Sequence, residues 1–387
     1  MTAASSADAR RDELVERLFG NALGAMDLLC VYLGDRLGLY RALAGAGPST
    51  SSELASAAGV NDRYAREWLE QQAMAGILKA VDPDASDAER RYAVPAGHDE
   101  VLLDGAVSTT WPRWLSWLWH ARCRSTPCSR RSEPATESRT RTTGPTCTRA
   151  RRASPSRCST PCSRPIGCPR CRPSTTASAA IRRRGSPTWR AGSGRSSIAI
   201  ARSYPKVTVD GIDLDHASIS RARQLLPASG VEDRVAFHCR DAADPELSGR
   251  YELVTIFEAL HDMSYPVDVL RTVRGLLSDG GRGLVADERT AERFALDAGD
   301  VERLYYGFSV LHCLPVGMVG ENAAGTGTVM REDTVRGYAE RAGFADCEVA
   351  PIVRGQRRTT ASTGSGSAPR RRSGTDYCSS SSSVASA

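Results

Sequence analysis

The sequence predicts an α/β protein in which a parallel, doubly wound sheet follows a smaller helical domain. Three observations carry that expectation. From Ser196 onward, apolar runs at strand spacing alternate with amphipathic runs at helical spacing, and strands separated by helices pair in parallel. The first hundred residues carry helical periodicity almost throughout. The chain has 387 residues, 41% of them hydrophobic, enough for two domains with separate cores.

Taken in order, Asp12–Leu43 places Leu14, Leu18, Leu23, Met26, Leu29, Val31, Leu33, Leu37 and Leu39 at helical spacing. Such an amphipathic start needs a partner surface, and a homodimer is the expectation. Thr50-Ser-Ser-Glu53 is a capping-box pattern that opens a short helix, which Gly59 ends. Asn61 or Asp62 caps a longer helix with Ala65, Trp68, Leu69, Ala73 and Ile77 on one face. Strand-like Ile77–Val81, a polar turn and Tyr92–Val94 then complete a winged-helix arrangement.

A winged helix raises the question of DNA. The recognition-helix position, Arg63–Ala75, offers Arg63 and Arg66 against Glu67 and Glu70. Phosphate binding needs a basic face, so nucleic acid is not the expected partner; a dimerisation or substrate-lid role is.

In the second half, a helix closes through Ile198–Arg202 and Val207–Ile212 is a strand ending at Asp213. His216–Leu226 is a helix, Arg234–His238 a strand, Glu252–Phe257 another, and Val267–Leu277 a helix stopped by Asp279-Gly-Gly281. Gly283–Ala286 is a fourth strand, Glu332–Ala342 a helix and 343–351 a late strand. Tyr305–Cys313 reads as an apolar helix, over a site mouth or in the core, and Met318–Thr328 as a Gly-rich loop.

Between the two halves the composition changes. Ala121–Arg195 holds 18 Arg against Glu133 and Glu137, a balance of +16, whereas the whole chain carries +6 and the remainder therefore −10. This stretch is Arg, Ser, Thr, Pro and Cys, nearly without Leu, Ile, Val or Phe. One reading is a disordered basic linker. A zinc module around Cys168-Pro-Arg-Cys171 lacks a matching second knuckle, so no metal ligands are assigned.

A third reading is translation out of frame. Back-translated and read from each codon's third base, Pro187–Gly194 permits Asp-Val-Ala-Cys-Gly-Phe-Gly, an acid followed by a glycine loop. The same shift turns 140–149 and 361–365 into plausible folded sequence. The expected organisation is a winged-helix domain (1–105), an out-of-frame and disordered segment (106–194), a sheet domain (195–354) and an out-of-frame, disordered tail (355–387).

In doubly wound sheets, ligands sit beyond the carboxyl ends of the strands near the switch point. Asp213 ends its strand some two dozen residues after the glycine loop, placed to accept both ribose hydroxyls of an adenosine cofactor. Asp241 follows the next strand, facing an adenine edge or capping a turn. Asp215 reads as a helix cap.

The segments Val209-Asp-Gly-Ile-Asp-Leu-Asp215, Cys239-Arg-Asp-Ala242, Phe257-Glu-Ala-Leu-His-Asp262 and Leu276-Leu-Ser-Asp-Gly-Gly281 together resemble the class I S-adenosylmethionine (SAM)-dependent methyltransferases. They are most similar to bacterial members with an N-terminal winged helix, related to small-molecule O-methyltransferases, over 12–105 and 195–353. The resemblance implies a Rossmann-like sheet and SAM as cofactor. It implies Asp213 at the ribose, Asp241 and Ala242 at the adenine, and Glu258 beside the methionine. Gly192 and Gly194 would form the glycine turn. The family's acidic residue before that turn is missing from Thr188-Trp-Arg-Ala-Gly-Ser-Gly194, so weak SAM binding is expected of this chain.

By the same likeness, His261 would take the proton from an acceptor hydroxyl, a task suited to neutral imidazole, or else hydrogen-bond its own loop. Asp262 would orient it or begin the following helix. The acceptor would be a small molecule. Two rival classes are a winged-helix regulator with a SAM-type sensing domain and a nucleotide-dependent dehydrogenase. With no long apolar run and no leader-like N-terminus, a cytoplasmic location is expected.

Overall fold

The computed structural model describes residues 3–103, 187–189, 191–350 and 380–386. The frame-shift readings of 140–149 and 361–365, and the Cys168–Cys171 motif, lie outside the described residues.

The N-terminal domain is built as its caps dictate. Helix α1 (Ala3–Arg36) breaks at Gly38, which adopts φ 69°, and α2 (Leu39–Ala46) follows. In α3 (Ser51–Ala58) the capping box is complete: Thr50 accepts from the Glu53 N–H, and the Glu53 carboxylate accepts from the Thr50 N–H at 2.8 Å. Gly59 closes this helix with φ 66°. Asn61 caps α4 (Asp62–Met74) by accepting from the Arg63 N–H at 2.8 Å. The wing is a two-residue ladder, β1 (Lys79–Ala80) on β2 (Tyr92–Ala93), antiparallel. Helix α5 (His98–Leu103) ends the domain.

The second domain is a seven-stranded sheet. Its strands are β3 (Pro187–Trp189), β4 (Val209–Asp213), β5 (Val235–Cys239), β6 (Tyr251–Phe257), β7 (Leu277–Glu288), β8 (Asp346–Ala350) and β9 (Ser380–Ser386). They lie in the order β5-β4-β3-β6-β7-β9-β8. The five strands from β5 to β7 are parallel, and β9 runs antiparallel to both of its neighbours. Strand β3 sits between β4 and β6, so the chain winds outward in opposite directions from it. That is the switch point of a Rossmann-like doubly wound sheet.

Between these strands run α6 (Arg195–Ser203), α7 (His216–Leu225) and α8 (Pro266–Leu276). Asp215 does cap α7, accepting from the Ser218 N–H at 2.8 Å. Helix α8 stops at Leu276, and the Asp279-Gly-Gly281 segment belongs to an irregular start of β7. Beyond β7 come α9 (Asp300–Phe308), a π-helical turn (Ser309–Cys313), α10 (Leu314–Gly317) and α11 (Glu332–Ala342), closed by Gly343 at φ 88°.

Two expectations change and one open choice closes. Pro187–Trp189 is a central strand and 191–194 a formed turn, so the unfolded segment expected over 106–194 does not extend to its end. The tail expected to be unfolded contributes 380–386 as β9, wedged between β7 and β8. Of the two places left open for Tyr305–Cys313, the core is the one it takes: Tyr305, Tyr306 and Val310 share one buried cluster with Trp68, Leu69 and Leu54 of the winged-helix domain.

That shared core explains the acids of α4. Glu67 and Glu70 are 2% and 5% exposed. Glu67 pairs with Arg63 at 2.6 Å and accepts from the Ser309 hydroxyl; Glu70 pairs with Arg90 at 2.9 Å and accepts from the Tyr306 hydroxyl at 2.9 Å. Arg63 also donates to the carbonyls of Gly325 and Thr326. Arg63, one of the two arginines that this helix offers, is thus drawn into contacts within the chain. By contrast Leu14, Val15 and Leu18 on α1 are 43%, 47% and 57% exposed. No helix among the described residues is long and apolar enough to cross a membrane.

Candidate functional site

Carboxylates gather at the carboxyl edge of the parallel strands because four of the five end on an acid or are followed by one. Asp213 closes β4, Asp241 follows β5, Glu258 follows β6, and Asp287 and Glu288 close β7. In a parallel sheet these ends all face one side, so the acids share an edge.

The turn from β3 into α6 meets Asp213 directly. The Gly192 N–H donates to Asp213 Oδ2 at 2.9 Å, and the Asp215 N–H to Oδ1 at 2.8 Å. Asp213 is 5% exposed, fixed between the glycine turn and its own strand end. Gly192 and Gly194 take φ 51° and 75°. At Gly194 a Cβ would sit 2.4 Å from the Phe237 ring, so only glycine lets the turn pack there. The turn therefore forms with the residues present.

Asp241 is next door. Strands β4 and β5 pair Asp213 with Cys239, and the Arg240 N–H donates to the Asp213 carbonyl at 3.1 Å. Asp241 is exposed and accepts from the Ala243 N–H at 2.9 Å, an arrangement that steadies its turn. Ala242 is half-buried beside it and packs on the main sheet core. The structure thus brings Gly192, Gly194, Asp213, Asp241 and Ala242 onto adjoining strand ends.

Glu258 lies on the other side of the switch point. Its φ is 47°, in the left-handed region that a non-glycine residue adopts at a cost. The Glu258 N–H donates to the Ala286 carbonyl at 2.8 Å, locking the turn against β7. Burial pushes its carboxyl up to about 8, helped by a hydrogen bond with Glu288 and by the charges of Glu288 and Asp287. Two acids at neighbouring strand ends make it costly for both to be charged at once.

His261 sits in the next turn (Leu260–Asp262) and is 5% exposed. Its Nδ1 lies 2.6 Å from Asp287 Oδ1, and its Nε2 is 3.4 Å from Asp262 Oδ1. Burial opposes a charge on the ring, but the charge and hydrogen bond of Asp287, then Cys313 and Asp262, raise its pKa well above the ordinary imidazole value. Asp262 stays in this turn while α8 begins at Pro266, so of its two expected roles it takes neither helix start nor a firm hydrogen bond to the ring.

Sequence reasoning missed Asp287, Glu288 and Cys313. The first two had a usable signal, since an acid at a strand end was the rule already applied to Asp213. Cys313 had none, because its approach to His261 depends on a π-helical turn.

Residues 191–282 match the methyltransferase-domain family, and residues 24–103 match the Rv2258c-like winged HTH domain. No curated protein matches. Among solved structures, an O-methyltransferase family 2 protein from Planctomyces limnophilus, in complex with apigenin, is 14% identical; the match covers 86% of this chain and 92% of that one, with TM-score 0.48. The mitomycin 7-O-methyltransferase MmcR is 17% identical over 99% and 100% of the two chains, with TM-score 0.36. The SAM-dependent methyltransferase SibL is 16% identical over 97% and 98%, with TM-score 0.38. Likenesses this distant say nothing of the acceptor.

Proposed function

We propose that this chain, which carries a methyltransferase domain and an N-terminal winged-helix domain, is a SAM-dependent methyltransferase that methylates a hydroxyl of a small molecule. The observation that carries the reading is the bond from the Gly192 N–H to Asp213, which joins a close-approach turn to a buried carboxylate at the switch point. Bound there, SAM supplies a methyl group activated by its sulfonium for in-line displacement.

The residues divide the work. Gly192 and Gly194 present backbone without side chains. Asp213 accepts from the ribose hydroxyls, and Asp241 with Ala242 borders the adenine. Glu258 faces the methionine end, where its carboxylate suits an ammonium group.

For the proton released by the acceptor, His261 is the proposed receiver. The contact of Nδ1 with Asp287 supports this, since a carboxylate behind the ring fixes the tautomer of a working base; the same carboxylate raises the ring's pKa, against the neutral imidazole expected, so the ring serves as a base only after it has lost its own proton. A second reading is favoured by the burial of the ring and the acid near each nitrogen: His261 would then lock the 258–263 turn. His261→Gln separates them. Loss of a base lowers kcat with SAM affinity kept, whereas loss of a lock lowers SAM affinity and thermal stability together.

The exposed apolar residues of α1 support a homodimer, and we place the protein in the cytoplasm. The rival regulator reading needs a free basic face on α4, where Arg63 is engaged with Glu67, Gly325 and Thr326.

Thr188 stands where the family carries an acid, so this chain should bind SAM weakly, and Thr188→Asp should bind it more tightly. Calorimetric titration tests both points. Micromolar binding by the unaltered chain overturns the weakness, and no binding by either chain at millimolar SAM overturns the cofactor reading.

A further inference from the structure

The turn after β6 and the π-helical turn after α9 bring three different donors together. His261, Asp262 and Cys313 each present one ligand atom, and these atoms all lie within 4.8 Å of one another. The residues are 5%, 4% and 7% exposed. Asp287 holds Nδ1 from behind at 2.6 Å, leaving Nε2 as the nitrogen on the cluster side.

Asp262 Oδ1 is the second observation. It is buried, lies 3.4 Å from Nε2 and has no hydrogen-bond partner among the described residues. Buried carboxylate oxygens nearly always find a donor, so one left open beside a nitrogen and a sulfur points to something that completes it.

A proton on the ring answers part of this. An imidazolium between Asp287 and Asp262 would balance the carboxylates. The Cys313 thiol, which hydrogen-bonds the ring and Thr328, adds a third convergent donor, and the proton leaves Asp262 Oδ1 without a hydrogen bond. Imidazole nitrogen, carboxylate oxygen and thiolate sulfur together are a borderline-soft set suited to tetrahedral zinc. The carboxylate behind the imidazole is the supporting partner that metal-bound histidines usually have.

We infer that His261 Nε2, Asp262 Oδ1 and Cys313 Sγ form a three-ligand site for Zn²⁺ or a similar divalent cation, with a fourth position left for water. Ligands at about 2.0–2.3 Å from zinc stand roughly 3.3–3.8 Å apart, so side-chain rotation of about an ångström closes the set. The cation would clamp the turn after β6 to the 309–317 segment. It would also occupy the nitrogen proposed to receive the acceptor's proton, so the cation-loaded chain would transfer methyl groups poorly.

The site stands independently of the methyl-transfer reading, and its test needs no turnover. The full chain, stripped with a chelator, is titrated with Co²⁺ and followed by absorption. The expected spectrum has intense tetrahedral d–d bands and a thiolate-to-cobalt charge-transfer band. Twelve cysteines are present, so the assignment rests on variants: Cys313→Ser should lose the charge-transfer band and Cys239→Ser should keep it. Asp287→Asn, which spares all three ligands, should weaken Co²⁺ binding about 10- to 100-fold. No Co²⁺ binding by the parent, or a Cys313→Ser spectrum equal to the parent's, overturns the site. SAM titration of the same stripped protein reports separately on the cofactor.

Discussion

Two regions of this molecule bury carboxylates, and they treat them oppositely. Between the winged helix and α9 each buried acid meets a cation or donor of the same chain: Glu67 with Arg63, Glu70 with Arg90, Asp27 with Arg303, Glu302 with Arg331. At the sheet's carboxyl edge acids crowd other acids. Glu258 faces Glu288, and Asp262 and Asp287 flank one imidazole, each with an oxygen lacking a hydrogen-bond partner. The first region is complete in itself. The second sets several carboxyl groups around a single imidazole, which leaves it able to receive further positive charge from a ligand, a cation or a proton.

The sharpest way to break this contrast is to empty one partner from the complete region. Arg90→Ala leaves Glu70 buried and uncompensated, so urea unfolding should show a loss of about 3–5 kcal/mol. A loss below about 1 kcal/mol would mean that the network is not structural. At the open edge, the proposed base gives the next largest effect: His261→Gln should lower kcat about 100-fold, near 2.7 kcal/mol in barrier, with the SAM dissociation constant unchanged by calorimetry.

Thr188→Asp sharpens the comparison by adding an acid where the edge is missing one. We expect SAM affinity to rise about tenfold, or 1.4 kcal/mol. Thr50→Ala, remote from the edge, should cost about 1 kcal/mol of stability through the lost cap and leave SAM binding alone. A large change in SAM affinity there would show that the two regions are not separable.

The smallest effect concerns pH. The folded Glu258 carboxyl titrates above its ordinary value, so its stabilising contribution is complete below about 4.5 and is lost as pH climbs through about 8. The melting temperature of the ligand-free parent should therefore fall across this window, modestly because the group is half-exposed, and Glu258→Gln should flatten the slope. Equal slopes would remove the claim that acids crowd there.

What could be read beforehand was local. Thr50 with Glu53, Gly59, Asn61 and Asp215 are caps whose partners lie within a few residues, and all four behave as their types dictate. Asp213 was legible because a strand's end is a short-range feature. The pairing of His261 with Asp287 spans 26 residues and requires the β6–β7 register, which spacing does not reveal. Glu67 and Glu70 read only as acids that deny the helix a basic face, because nothing nearby in sequence announces Tyr306 or Ser309 as their cover. Strand β9 is rich in serine, and its pairing with β7 and β8 is a tertiary fact that its own composition does not suggest.

The left-handed backbone of Glu258 leads to one last expectation about evolvability. Replacing it by glycine would relax the main chain and remove a crowded charge at once, so a selection for heat resistance alone should find Glu258→Gly early. Retention of glutamate there under such selection would indicate that thermal robustness is being given up in exchange for the catalyst.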